Sequence, residues 1–87
     1  MIQLKAHNKS IGKLNKIDKL ILVPKKFWAD FPSGVSDYKL NGKNLTLRVY
    51  DVPCDCSGPD HTHRIVDLRD VWESLKLTDG TILEIER

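Results

Sequence analysis

The sequence predicts a small, mostly β (α+β) single domain: two strand–short helix–strand repeats joined by a β-hairpin. Three observations carry that expectation. The order apolar strand, short helical segment, tight turn, alternating strand occurs twice along the chain. Between the two copies stands a near-palindromic Cys/His stretch with turn residues at its centre. The chain has 87 residues, enough for one modest core, and domains of that size often rely on a structural metal. The domain is expected to span residues 1–87, with half-repeats at about 19–50 and 63–87 and the hairpin over 52–65.

The first copy opens with the apolar run 19–23. Pro24 follows, suited to the first helical position, where its missing N–H is harmless. Phe27 and Phe31 are four apart and share a helical face with Trp28. Residues 32–37 read as an insertion peculiar to this copy. Asn41-Gly42 tolerates the positive φ of a tight turn and precedes the strand 44–50. The second copy starts at 63–66, and Asp67 can cap a short helix by accepting from its free N–H groups. Val71, Trp72 and Leu75 repeat the pattern of Phe27, Trp28 and Phe31. Asp79-Gly80 is the second turn, before the strand 81–86. Neither helix is long enough to stand alone, and both tryptophans are expected as core anchors rather than stacking platforms.

The connecting stretch reads Cys54-Asp55-Cys56-Ser57-Gly58-Pro59-Asp60-His61-Thr62-His63. Strand side chains alternate, so Cys54 and Cys56 share a face, as do His61 and His63. A turn at 57–60 sets Cys56 opposite His61 and Cys54 opposite His63, a register that extends to Val52 opposite Ile65 and Tyr50 opposite Asp67. Two thiolates and two imidazoles form the donor set of a tetrahedral zinc ion, and four protein ligands leave no open position for catalysis. Asp55 or Asp60 could accept from a histidine N–H. Copper(I), or a polar hairpin with incidental thiols, are the alternatives. Tyr50, Val52 and Ile65 would continue the ligand face, whereas Leu45, Leu47 and Val49 have the opposite parity. A bulge near Pro53 would reconcile the two.

The net charge of +2 conceals an asymmetry. Residues 1–48 carry ten Lys/Arg against three Asp, and residues 49–87 carry four against nine acidic groups. Lys5, Lys9, Lys13, Lys16, Lys19, Lys25 and Lys26 are candidate phosphate contacts on a basic face. The alternative is a solvated surface that balances the acidic half. Lysine outnumbers arginine there, which suits phosphate attraction more than base readout. The opening Met1-Ile2-Gln3-Leu4-Lys5 lacks the apolar core of a signal peptide, and no apolar run approaches the roughly 18 residues of a membrane span. A cytoplasmic, non-membrane protein is expected, with cysteines as thiols or ligands rather than a disulfide. Enzyme activity is not expected: His7 is isolated, and no phosphate loop or oxyanion loop accompanies any Cys–His pair.

The stretch from Arg64 through Asp67, Leu75, Leu77, Gly80 and Ile82 to Ile85 resembles the AbrB-type swapped-hairpin unit. That unit is a basic residue and apolar strand, a capped short helix ending in leucine, an acidic-Gly turn and an alternating strand. The match spans residues 64–86, and the first copy follows it more loosely. The resemblance implies two interleaved units in a small pseudo-twofold barrel, here in tandem, as a monomer or homodimer. It further implies a regulator that binds double-stranded DNA, with Arg64 joining the lysines as a contact. The Cys/His hairpin lies outside the family pattern.

Overall fold

Alternation of apolar and polar residues decides which face of each strand meets the core. The computed structural model describes residues 2–11, 17–53 and 62–86, and within them six strands form. They are β1 (Ile2–Ile11), β2 (Ile17–Val23), β3 (Gly34–Leu40), β4 (Lys43–Pro53), β5 (Thr62–Asp67) and β6 (Ile82–Glu86). They close into an antiparallel barrel in the order β1-β2-β5-β4-β3-β6. Its interior is filled by Leu4 and Ala6, Ile21 and Val23, Tyr38 and Leu40, Leu47 and Val49, Val66, and Leu83 and Ile85. Each of these pairs has the spacing of two that one strand face requires.

The helical content is smaller than the sequence suggests. The first segment is a six-residue 3-10 helix, η1 (Lys25–Asp30), with Pro24 just ahead of it. The Pro24 carbonyl accepts from the Phe27 N–H at 2.9 Å, so the proline caps the helix instead of occupying its first turn. Phe31 ends it, buried and stacked on Tyr38 with ring centroids 5.4 Å apart. The second segment, residues 69–76, is a run of turns. Leu75 N–H reaches the Val71 carbonyl, but the Ser74 hydroxyl donates to that same carbonyl and Lys76 turns left-handed at φ 53°. Asp67 still acts as a cap, accepting from the Arg69 N–H at 3.0 Å. Trp72 is buried, and Trp28, Phe27, Val71 and Leu75 pack onto the same core.

Two strands fall where no element was expected. β1 lies ahead of the first half-repeat, and β3 occupies part of the presumed insertion at 32–37. Asn41-Gly42 is therefore the hairpin turn between β3 and β4, with φ of 48° and 85°, a left-handed pair that matches the twist of the flanking strands.

β4 is apolar on both faces. Leu47 and Val49 point into the barrel. Tyr50 and Val52, of opposite parity, join Leu20, Leu22 and Ile65 in a second cluster. No switch of faces near Pro53 is needed. Leu20 and Ile65 are fully buried there, and Val52 nearly so.

Candidate functional site

Two hairpins run past the body of the barrel. β6 pairs with β1 from Ile2 to Lys5, and β5 pairs with β2 from Leu20 to Val23. The β1–β2 ladder continues beyond both, through Asn8↔Lys19 to Ile11↔Ile17, with a register shift between Asn8 and Ile11. On the other hairpin, β4 and β5 remain paired through Val52↔His63 and Pro53↔Thr62. β2 and β5 are antiparallel, so hairpins attached to their two starts leave from opposite ends of the barrel. The molecule is correspondingly long, 38 × 25 × 19 Å.

The β4–β5 hairpin leads into the Cys/His stretch. Cys54, Cys56 and His61 lie outside the described residues. The described end corrects the expected register by two residues: Val52 faces His63 and Tyr50 faces Ile65. A slip of two leaves every side chain on its expected face. His63 accordingly shares the face of Tyr50, Val52 and Ile65, at the margin of the outer cluster. Among the described residues, no three His, Cys, Asp or Glu groups stand together as a metal site. A groove of about 350 Å3 opens beside His63, walled by Leu22, Pro24, Lys25, Trp28 and Thr62.

The candidate cations are spread over several surfaces. Lys5 is exposed on β1, on the side away from the core-facing Leu4 and Ala6. Lys19 is half-buried near the start of β2, while Lys25 and Lys26 are exposed on η1, beyond its end. Residues 19 and 23 of a strand are roughly 13 Å apart, so these lysines flank opposite ends of the barrel. Lys26 sits 5.1 Å from the Phe27 ring centroid. Lys9 falls on the extended part of β1, and Lys13 and Lys16 lie outside the described residues, between Ile11 and Ile17 in the chain.

Arg64 has specific structural partners. Its Nε donates to Asp51 Oδ1 at 2.9 Å, and Nη1 reaches the Trp28 and Phe31 carbonyls at 3.4 Å. The guanidinium carbon lies 4.4 Å from the Trp28 ring centroid. Trp28 Nε1 donates in turn to the Val23 carbonyl at 3.0 Å. Arg64 thus fastens η1 to the start of β5, and sequence reasoning missed the partner, Asp51. The signal was present only in the cross-strand register, where Asp51 faces Arg64.

A second polar cluster surrounds Asp67. Arg69 donates to it through Nε and Nη2, the latter at 2.8 Å, and the Tyr50 hydroxyl donates at 3.2 Å. Burial pushes the Asp67 carboxyl upward, but hydrogen bonds from the Arg69 side chain and backbone, its charge and the Tyr50 hydroxyl outweigh that and hold it below the ordinary aspartate value. Burial, followed by the Asp67 charge, pushes the Tyr50 hydroxyl the other way, above the usual tyrosine range. This cluster anchors the turn run 69–76 to the sheet.

Among the described residues, no helix is long and apolar enough to cross a membrane. Comparison of the chain with models of protein families, with curated proteins and with solved structures finds no match.

Proposed function

We propose that this chain is a small non-enzymatic binding protein, an AbrB-like regulator with a structural zinc hairpin at Cys54, Cys56, His61 and His63, that contacts the phosphates of double-stranded DNA through its β1–β2 hairpin. The observation that carries this reading is the extension of the β1–β2 ladder to Ile11↔Ile17, past the strands on either side. That hairpin bears Lys9, Lys13, Lys16 and Lys19 in eleven consecutive residues, with Asp18 as the single acidic group. A two-stranded ribbon fits the width of a major groove, and lysines supply point charges to phosphates without demanding bidentate geometry. Lys5, Lys25 and Lys26 add to the long-range field but stand on other surfaces. Arg64 plays a supporting part, since its guanidinium is held by Asp51 and Trp28.

Duplex-DNA binding measured across a salt series tests the reading. Affinity must fall steeply with salt, because each phosphate neutralised contributes about −0.9 to the slope of log K against log salt. No binding at low salt removes the proposal.

A second reading is favoured by one observation of its own. Val52↔His63 and Pro53↔Thr62 bring the two ends of the Cys/His stretch side by side at the edge of an apolar cluster. Zinc held by Cys54, Cys56, His61 and His63 would then close that hairpin as a structural element, and the module would handle metal or meet a protein partner without nucleic acid. One zinc per chain by elemental analysis, together with an absence of DNA binding, selects this reading over the first.

The two-halves architecture belongs to the same proposal. Exchanging β1 with β4, β2 with β5 and β3 with β6 maps the strand order onto itself, which supports a pseudo-twofold arrangement. Trp28 and Trp72 are 44 residues apart, and shifting β1 by 43 and β2 by 45 converts the core-facing Ala6↔Ile21 pair into the observed, equally core-facing Val49↔Val66 pair. In this reading the repeats begin at β1 and β4, and the lysine and Cys/His hairpins are equivalents.

A further inference from the structure

The pairing of the strands divides the chain at a single short turn. Take residues 2–40 as one half and 43–86 as the other. β3 belongs to the first half, but its neighbours in the barrel, β4 and β6, belong to the second. β6 belongs to the second half, but its neighbours, β1 and β3, belong to the first. β2 and β5 form a further seam between the halves. Among the described residues, only the β1–β2 and β4–β5 ladders lie within one half. Each half thus donates a strand into the other, and Asn41-Gly42 alone joins them along the chain.

We infer that a second copy of this chain can supply either half, so that the Asn41-Gly42 turn decides between a one-chain barrel and an exchanged dimer. If that turn opens, β3 and β4 continue as one extended strand. Every seam of the barrel can then re-form, with β1, β2 and β3 of one copy against β4, β5 and β6 of the other. No new interface is required, because the surfaces joined between copies are those already joined within one. The closed form is favoured by local chemistry. Both turn residues hold left-handed φ, and Asn41 is tied to β6 by a reciprocal pair, its N–H to the Glu84 carbonyl and its Oδ1 from the Glu84 N–H, each at 2.9 Å. A two-residue turn is also the shortest of hairpin connections, so shortening it further forbids the closed form, a known route to strand exchange.

Two experiments on the full chain decide the matter. In the first, Asn41 and Gly42 are deleted together, and mass is measured by light scattering alongside near-ultraviolet circular dichroism. The expected result is a dimer with the tryptophan environment of the native barrel; a folded monomer overturns the inference. The second keeps the native turn and remains decisive if the deletion fails to fold. A chain carrying Ile21→Asp is refolded with one carrying Leu83→Asp; both positions are fully buried, one in each half. Exchange lets the two intact halves build one sound barrel, so a one-to-one dimer of the two chains is expected. A mixture in which the chains stay separate overturns the inference.

Discussion

The β1–β2 and β4–β5 hairpins leave opposite ends of the same barrel, each as a continuation of two core strands. Their chemistry differs. Residues 9–19 of the first carry four lysines and one acidic group, while residues 51–63 of the second carry two cysteines, two histidines and three aspartates. The apolar alternation of the core strands ends in both hairpin sequences, so the core no longer dictates residue type there. On the proposed reading, one ladder geometry would carry a polyanion contact at one end and a soft-ligand cluster at the other. The difference also sets what each can contribute to stability. Solvated amines contribute little to a fold, whereas a metal closing the other hairpin would add to it directly.

Breaking the Cys/His side should have the largest effect. Structural zinc sites bind with about 10 kcal/mol or more of apparent free energy coupled to folding. Chelation is expected to lower the melting temperature markedly, and His63→Ala to abolish a stoichiometry of one zinc per chain. A protein without metal after growth in zinc-supplemented medium removes this half of the comparison.

The next effect tests what that hairpin rests on. Ile65→Ala opens the outer cluster beneath it and should cost about 2–5 kcal/mol in urea denaturation, as for other buried aliphatic truncations. A loss within about 0.5 kcal/mol of zero, the range usual for surface sites, would show that the cluster is not a core.

Arg64→Ala separates clamp from contact. It should cost about 1 kcal/mol of stability, because Asp51 is exposed and rehydrates once its charged donor and the Trp28 contact are gone, while the salt dependence of DNA binding stays as in the parent chain. A changed salt slope with unchanged stability would return Arg64 to the DNA surface.

The smallest effect is one of pH. The Asp67 carboxyl lies below its ordinary value in the folded chain, so the folded state binds that proton less readily than the unfolded one. The resulting stability is complete above the ordinary aspartate value and is lost as pH falls through the lower folded value. Asp67→Asn should flatten that acid-side slope in thermal melts taken between roughly pH 5 and pH 2; an unaltered slope assigns the acid sensitivity elsewhere.

The sequence made the turns and the side-chain faces legible, and the strand neighbours illegible. Asn41-Gly42 and Gly80 sit at left-handed positions because few other residues adopt them without strain. The face shared by Tyr50, Val52 and Ile65 followed from parity alone, whereas the register of β4 on β5 was misplaced by two, a slip that parity cannot detect. β3 escaped notice because its alternation is weak: Tyr38 and Leu40 are buried, but Val35 is 60% exposed and Gly34 carries no side chain. In β1 the alternation of Ile2, Leu4 and Ala6 was present but stood inside a lysine-rich stretch that read as surface. Among the described residues, Lys5, Lys19, Lys25 and Lys26 stand on separate surfaces because β1, β2 and η1 join different partners.

The central claim is that the β1–β2 hairpin is the DNA contact. The decisive measurement is duplex-DNA affinity against salt for the parent chain and for Lys13→Glu with Lys16→Glu. A steep salt dependence is expected in the parent, with a slope shallower by about two in the double variant and an unchanged melting temperature. Equal affinity and equal slope in the two proteins, or no binding by either at low salt, would contradict it.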